Sequence, residues 1–278
     1  MLSLGVDLSQ RPVRAAMLDE HGEIVASGSG ADAAAAAGEA TRGRTPDVAA
    51  VAAIDGAIAS LPGIARVTQC SPGAAAITAE VFMGAARGAR HALCLYIGDE
   101  VFAGLWLDGK PWAGAHNRAG AAAWLALNPV ERQDYRKLGS LAAEVSSKGI
   151  ARRLSWRIQA GDRSRVLEQA GGSLDAITGD HVFAGARGGD GVAISVLRDT
   201  AKYIGMAVAT LAAAIDPEVI VVAGSVAAAD LMLEPVRLEC ARRLPPEAMA
   251  DLRVEFSTLG PGAIAAGAAR LAQTTRSA

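Results

Sequence analysis

The chain has 278 residues, 51 % of them hydrophobic and 20 % charged, with a formal net charge of -2. This composition excludes a disordered polymer and offers no bulk attraction to nucleic acid or to an anionic membrane surface. The longest apolar runs, 203–215 and 219–229, are separated by Asp216 and Glu218, and each is shorter than the about 20 residues that a bilayer-spanning helix needs.

In chain order, "LSLGVDLS" predicts a strand ending near Asp7, "VRAAMLDEHG" a second strand running into a turn, and "EIVASGS" a third. Together they form a meander. The segment "GADAAAAAGEATRGRTP" reads as a loop or a frayed helix, because alanine favours helix while glycine and proline interrupt it. "DVAAVAAIDGAIASL" (47–61) predicts a helix with Asp47 as its N-cap. "IARVTQ" follows as a strand, and "AAAITAEVFMGAARG" as a helix. "HALCLYIG" and "VFAGLWLDG" read as a strand pair around Gly98, Asp99 and Glu100. The stretch "SLAAEVSSKGIARRLSWRIQ" is predicted helical, and the arginines of 151–165 are expected on a solvated helix face. A helix, a glycine-rich break and a long helix lead to "DPEVIVVAGSV", the clearest buried strand. A helix, the strand "RVEFSTLG" and the helix "GAIAAGAARLAQ" complete the order.

Cys70, Cys94 and Cys240 form no C-x-x-C pair, and His21, His91, His116 and His181 show no ligand spacing. Reduced thiols and no structural zinc are expected. With no basic leader followed by an apolar run, the expected location is the cytoplasm.

Three segments, "LGVDLSQRPVRAAMLDEHGEIVASG", "GVAISVLRDTAKYIGMAVATLAAAIDPEVIVVAGSV" and "TLGPGAIAAGAARLA", resemble in order the repressor/ORF/kinase (ROK) family of sugar kinases and sugar-responsive repressors. The similarity covers most of the chain and is strongest from about Ile177 onward. It implies an α/β, two-domain, actin-like or hexokinase-like fold. The smaller N-terminal domain would span 1–92, with 262–278 as a closing helix, and the larger domain 93–261. The N-terminal domain reads as trimmed, because no counterpart of the family's Val-Pro-Gly-Pro strand stands between 47–61 and "IARVTQ". A homodimer and a small-molecule ligand are implied. No helix-turn-helix precedes the first strand, so neither nucleic acid nor membrane is an expected partner.

The family's catalytic parts are degenerate here. Its first phosphate turn, Asp-x-Gly-Gly-Thr-Lys, becomes Asp7-Leu8-Ser9-Gln10-Arg11-Pro12, in which Asp7 is kept and Arg11 can reach an anion. A plain polar hairpin turn explains the same residues. The second turn becomes Gly98-Asp99-Glu100, rejoining the pattern at Gly104, with two carboxylates where a polyphosphate would sit. Pro72 stands at the position of the family's catalytic aspartate, and a proline accepts no proton. Ala121 and Trp124 replace two sugar ligands and Ala142 a third, in a segment that lacks the family's zinc-binding cysteines. Gly224 and Ser225 keep the nucleotide-side turn in mildly altered form.

Three functional readings follow. The first is a pseudokinase, a non-catalytic ligand- or protein-binding module with no cofactor. The second is an ATP- and magnesium-dependent kinase of a sugar or related molecule with a displaced base, Asp7 or Asp99. The third is repurposed non-kinase chemistry drawing on Asp7, Arg11, Cys70, Asp99, Glu100, His116 and Arg118.

Overall fold

The computed structural model describes residues 1–54, 61, 64, 66–130 and 132–274. Strands β1 (Ser3–Asp7), β2 (Val13–Leu18) and β3 (Ile24–Gly30) form the meander, and α1 (Ala33–Thr41) follows. Then come β4 (Val48–Ala52), β5 (Val67–Cys70), α2 (Pro72–Met83), β6 (Ala92–Ile97), β7 (Val101–Leu107) and β8 (Lys110–Pro111). The helical stretch holds α3 (Tyr135–Leu138), α4 (Ser140–Val145), α5 (Ser147–Gln159), α6 (Val166–Gln169), α7 (Gly179–Arg187) and α8 (Gly191–Ile215). The chain closes with β9 (Val219–Ala223), α9 (Ala229–Ala241), α10 (Pro246–Asp251), β10 (Arg253–Phe256) and α11 (Ala263–Thr274).

Two five-stranded sheets result, ordered β3-β2-β1-β4-β5 and β10-β9-β6-β7-β8. In the first, the meander is antiparallel, whereas β4 and β5 run parallel to β1. The chain divides into two compact units. The first is Met1–Tyr96, Phe102–Gly120 and Ser257–Ala278; the second is Ile97–Val101 and Ala121–Phe256.

The expected helix over 47–61 is not formed. Val48–Ala52 is a fully buried strand between β1 and β5; residues 55–60 of the expected helix lie outside the described residues. Asp47 supplies the reason. Its carboxylate accepts the Leu2 N–H at 2.8 Å and its own N–H donates to the Leu2 carbonyl at 2.9 Å, so the residue pins β4 to β1 instead of capping a helix. A short alanine–valine run satisfies either structure, and burial on both faces of a parallel sheet selects the strand. The Ala-rich segment before it is an ordered helix: Asp32 caps α1 by accepting the Ala35 N–H at 2.8 Å.

In the first unit, Leu4, Val6 and Val51 pack with Ala36 and Ala40 of α1, while Ala16 and Leu18 pack with Ala265, Ala266 and Ala269 of α11. Small residues set the spacing. A Cβ on Gly5 would lie 1.9 Å from the Ala265 carbonyl oxygen, and one on Gly267 1.9 Å from that of Ala75, so helix and strand backbones touch.

The second unit is dominated by α8, capped by Asp190, whose carboxylate accepts the Ala193 N–H at 2.9 Å. The single helix expected over 140–159 is divided at Ser146, the N-cap of α5. Arg152 and Arg153 do not join the expected solvated face, whereas Arg163 and Arg165 beyond the helix are exposed. The Arg153 side chain is only 12 % exposed, Arg152 pairs with Asp134 at 2.9 Å and stacks over Trp156, and Arg157 pairs with Asp162 at 2.6 Å. Asp134, Glu144 and Thr200 come from outside the helix, which is why helical periodicity alone misplaces Arg152 and Arg153.

Candidate functional site

Asp7 ends β1 and is fully buried. One carboxylate oxygen accepts the Ser9 N–H at 2.9 Å and the Ser9 hydroxyl at 2.6 Å; the other accepts the Gln10 side-chain amide at 2.7 Å. Burial raises its pKa above the ordinary aspartate value, and these three bonds oppose the shift. Through the strand register, Asp7 and Cys70 flank Ala52 at the carboxyl ends of three parallel strands, the place where open α/β sheets hold ligands. Burial first, and the Asp7 charge second, push the Cys70 thiol up to about 12, so it carries negligible thiolate at neutral pH.

Pro72 is the first residue of α2, just after Ser71, which caps the helix by accepting the Ala74 N–H at 3.1 Å. Proline suits this position because the N–H it lacks would have no partner within the helix. The local structure is therefore well made, and it puts no titratable group there. Farther along α2, the buried Glu80 accepts the Ser257 hydroxyl at 2.5 Å and the Ala85 N–H at 3.0 Å, fastening the helix to the chain after β10.

The other candidates of the first unit lie apart from one another in role. Arg11 is exposed and donates to the Ala31 carbonyl at 3.2 Å. His116 and Arg118 are exposed in the loop after β8. Gly104 is needed for packing: a Cβ there would lie 2.0 Å from the Gly73 carbonyl oxygen, and one on Gly73 2.2 Å from that of Ala103. Strand β7 and the start of α2 thus meet backbone to backbone.

The second unit brings the remaining candidates together. The Gly98 N–H donates to the Glu100 carbonyl at 2.9 Å, closing a tight turn, while the Gly98 carbonyl accepts the Ser147 N–H at 2.9 Å. Gly224 has φ +101°, and a Cβ there would lie 2.2 Å from the Ile97 carbonyl oxygen. The Val226 N–H donates to the same oxygen at 3.1 Å. The close backbone approach that demands this glycine is therefore made by the chain itself, and it holds the Gly98 turn beside the exposed Ser225.

Asp99 faces a cavity of about 590 Å3, and Glu100 is exposed beside it. The cavity wall includes Ser147 and Lys148 at the start of α5, Thr178 and Asp180 at the start of α7, and the half-exposed Trp156. With Asp99, Asp175 and Asp180 against Lys148 and Arg152 the lining carries one negative charge in excess, and the Trp156 indole offers a face for a flat group. Sequence reasoning did not find Lys148, Trp156 or Thr178, because nothing in their spacing links residues about 20–30 apart on two helices. Thr178 carries the one usable signal, a capping pattern three residues ahead of His181, whose ring nitrogen lies 3.2 Å from the Thr178 N–H.

A nucleotide triphosphate needs free N–H donors at its turns. Here the Ser9 N–H is donated to Asp7, the Gly98 N–H to Glu100, and Pro12 has none, so these three positions offer a phosphate no free donor. Among the described residues no three histidines, cysteines or carboxylates group as a metal site, and no helix is long and apolar enough to cross a membrane.

The chain is 29 % identical over 189 residues to a glucokinase from Halalkalibacterium halodurans, which covers 65 % of this chain and 56 % of that protein. It is 24 % identical over 163 residues to the DNA-binding transcriptional dual regulator NagC from Escherichia coli, covering 58 % and 39 % respectively. The chain spans about half the length of the first curated relatives it matches. The crystal structure of a ROK family glucokinase from Streptomyces griseus in complex with glucose and AMPPNP superposes with a TM-score of 0.83 at 25 % identity, covering 99 % of this chain and 100 % of that one. The two sheets and their helices form the actin-like hexokinase fold of that enzyme. With the ROK family itself matched over residues 72–275, the chain belongs to the ROK family.

Proposed function

We propose that this chain is a sugar-kinase-like ROK protein that no longer transfers phosphate and acts by binding a small molecule in its second unit. Pro72 carries the reading: the position at which the family keeps its base is a helix-starting proline with no titratable atom. General-base catalysis contributes about 100- to 10,000-fold, and a sugar hydroxyl is a poor nucleophile without it. Ala121, Trp124 and Ala142 at the sugar-contact positions support the same conclusion, because a polyol bound there finds few hydrogen-bond partners. The cavity beside Asp99 is the binding site that this reading assigns, with Trp156 for a flat group and Asp99, Asp175 and Asp180 for its hydrogen-bond donors. The proposal includes self-association as a homodimer, which the family resemblance supports.

One observation favours a second reading. Asp7 is a carboxylate at the carboxyl end of a parallel strand, and the Streptomyces griseus relative was crystallised with glucose and AMPPNP. A nucleotide is therefore the first ligand to titrate. Calorimetry with ATP and magnesium, run beside a phosphoryl-transfer assay over a panel of hexoses, separates the two. The expected result is no transfer above the uncatalysed rate. Turnover that disappears in Asp7→Ala while the variant still binds ATP would establish the kinase with a displaced base and overturn the proposal.

A further inference from the structure

A second cavity in the second unit, of about 540 Å3, plays no part in that reading. Its described lining contains four cations, Arg132, Arg153, Lys202 and Arg243, and three carboxylates, Glu144, Asp199 and Glu239, which leaves one positive charge in excess.

The carboxylates are already engaged. Glu144 is buried; it accepts the Tyr135 hydroxyl and lies 3.4 Å from Arg132 and 3.8 Å from Arg153. The buried Glu239 holds Arg242 at 3.4 Å and Arg243 at 2.5 Å, so it keeps one partner if the other turns away. Asp199 pairs with Lys202 at 3.2 Å across one helical turn, with both side chains about half exposed. Such an exposed pair is weak and yields readily to a competing anion.

Arg153 is the least compensated member. Its guanidinium donates to the Val196 carbonyl at 3.4 Å and to the Thr200 hydroxyl, but its buried Nε makes no hydrogen bond. Burial also presses its pKa downward, against the opposing charges of Glu144 and Asp199. Tyr203 accepts the Asn128 amide at 3.3 Å, which leaves its own hydroxyl proton to donate. Leu127 and Met206 add apolar wall.

We propose that this cavity binds a small organic polyanion carrying two or more carboxylate or phosphate groups, held by Arg132, Lys202 and Arg243 over the Arg153 guanidinium. Several cations converging on one enclosure suit clustered negative charge, and Leu127 and Met206 suit a short carbon skeleton. The site is independent of the kinase question, because none of its residues lines the cavity beside Asp99.

The test is calorimetric titration of the full chain with citrate, pyrophosphate and inorganic phosphate in separate runs. Citrate and pyrophosphate distinguish carboxylate from phosphate preference, and inorganic phosphate measures what one group contributes. At least one multivalent probe is expected to bind saturably and more weakly as salt rises. The double variant Lys202→Ala/Arg243→Ala should bind at least about tenfold more weakly, whereas Lys110→Ala, exposed and lining neither cavity, should bind as the parent does. Both substituted side chains of the double variant are largely exposed, and unchanged circular dichroism checks its fold. No saturable heat from any probe up to about 10 mM, or binding that the double variant retains in full, overturns the proposal.

Discussion

The turn after β1 and the turn after β6 each follow a strand end, and each stands where the resemblance implies a phosphate turn in altered form. In the first, Asp7 points inward, is fully buried and spends its acceptors on Ser9 and Gln10. In the second, Asp99 points into a cavity of about 590 Å3 walled by two helix starts and Lys148. In the first unit these positions serve packing: proline starts a helix, glycine meets backbone, and a carboxylate closes on its own turn. The second unit keeps polar groups in enclosures that a solute can enter. On the proposed reading, ligand recognition resides in the second unit, and the first is a scaffold whose tolerances are steric.

The largest effect should come from testing that tolerance. Gly104→Val sets a Cβ 2.0 Å from the Gly73 carbonyl oxygen, with Ile77 2.9 Å away, and neither neighbour is a flexible chain end. A loss of about 3 kcal/mol or more is expected, read by urea unfolding. A loss below about 1 kcal/mol would mean that β7 and α2 can separate and that the first unit is less closely packed than described.

Glu144→Ala probes the opposite character of the second unit. It strips Arg153 of its nearby carboxylate while Arg132, half exposed, can turn to water. The expected cost is roughly 2–3 kcal/mol, less than for a fully buried pair. The double variant Glu144→Leu/Arg153→Met should recover part of it. A single-variant cost near zero would reduce the network to surface decoration and weaken the comparison.

The smallest effect is a pH dependence in the first unit. Burial raises the Glu80 pKa above the ordinary glutamate value of 4.5, against the opposing bonds from Ser257 and Ala85. The folded protein therefore holds this proton more tightly than the unfolded chain. The contribution is full below 4.5 and is lost as pH rises through the raised folded value. Asp7 acts with the same sign from its ordinary value of 3.8. Stability of Glu80→Gln should fall less steeply with pH above 4.5 than that of the parent, and an unchanged slope would assign the dependence to other groups.

Much of this was legible in the chain. The meander was marked by turns at Asp19–Gly22, α8 by an Asp cap and sustained helical spacing, and β9 by four consecutive valine and isoleucine residues after Asp216-Pro217. Pro72, which has no titratable atom, stood out once the family pattern was laid on 67–80. What stayed hidden depended on distant partners. Alanine and valine in 48–52 fit a helix as well as a strand, and the choice rested on Leu2, 45 residues away along the chain from Asp47. The arginines of α5 looked solvated because Glu144, Asp134 and Thr200 lie outside its periodicity. Gly224 looked open to a ligand because the Ile97 carbonyl that fills its space is remote in sequence.

The sequence by itself determined the family, the order of most elements and the absence of a base at Pro72, because residue identity, turn chemistry and the period of apolar residues are local properties. The tertiary structure alone decided that β4 is a strand, that glycines 73 and 104 join a helix to a sheet, and that seven charged residues line one cavity of the second unit. Those outcomes depend on which backbone atoms and charges meet across long stretches of chain, and burial, not spacing, sets their energy.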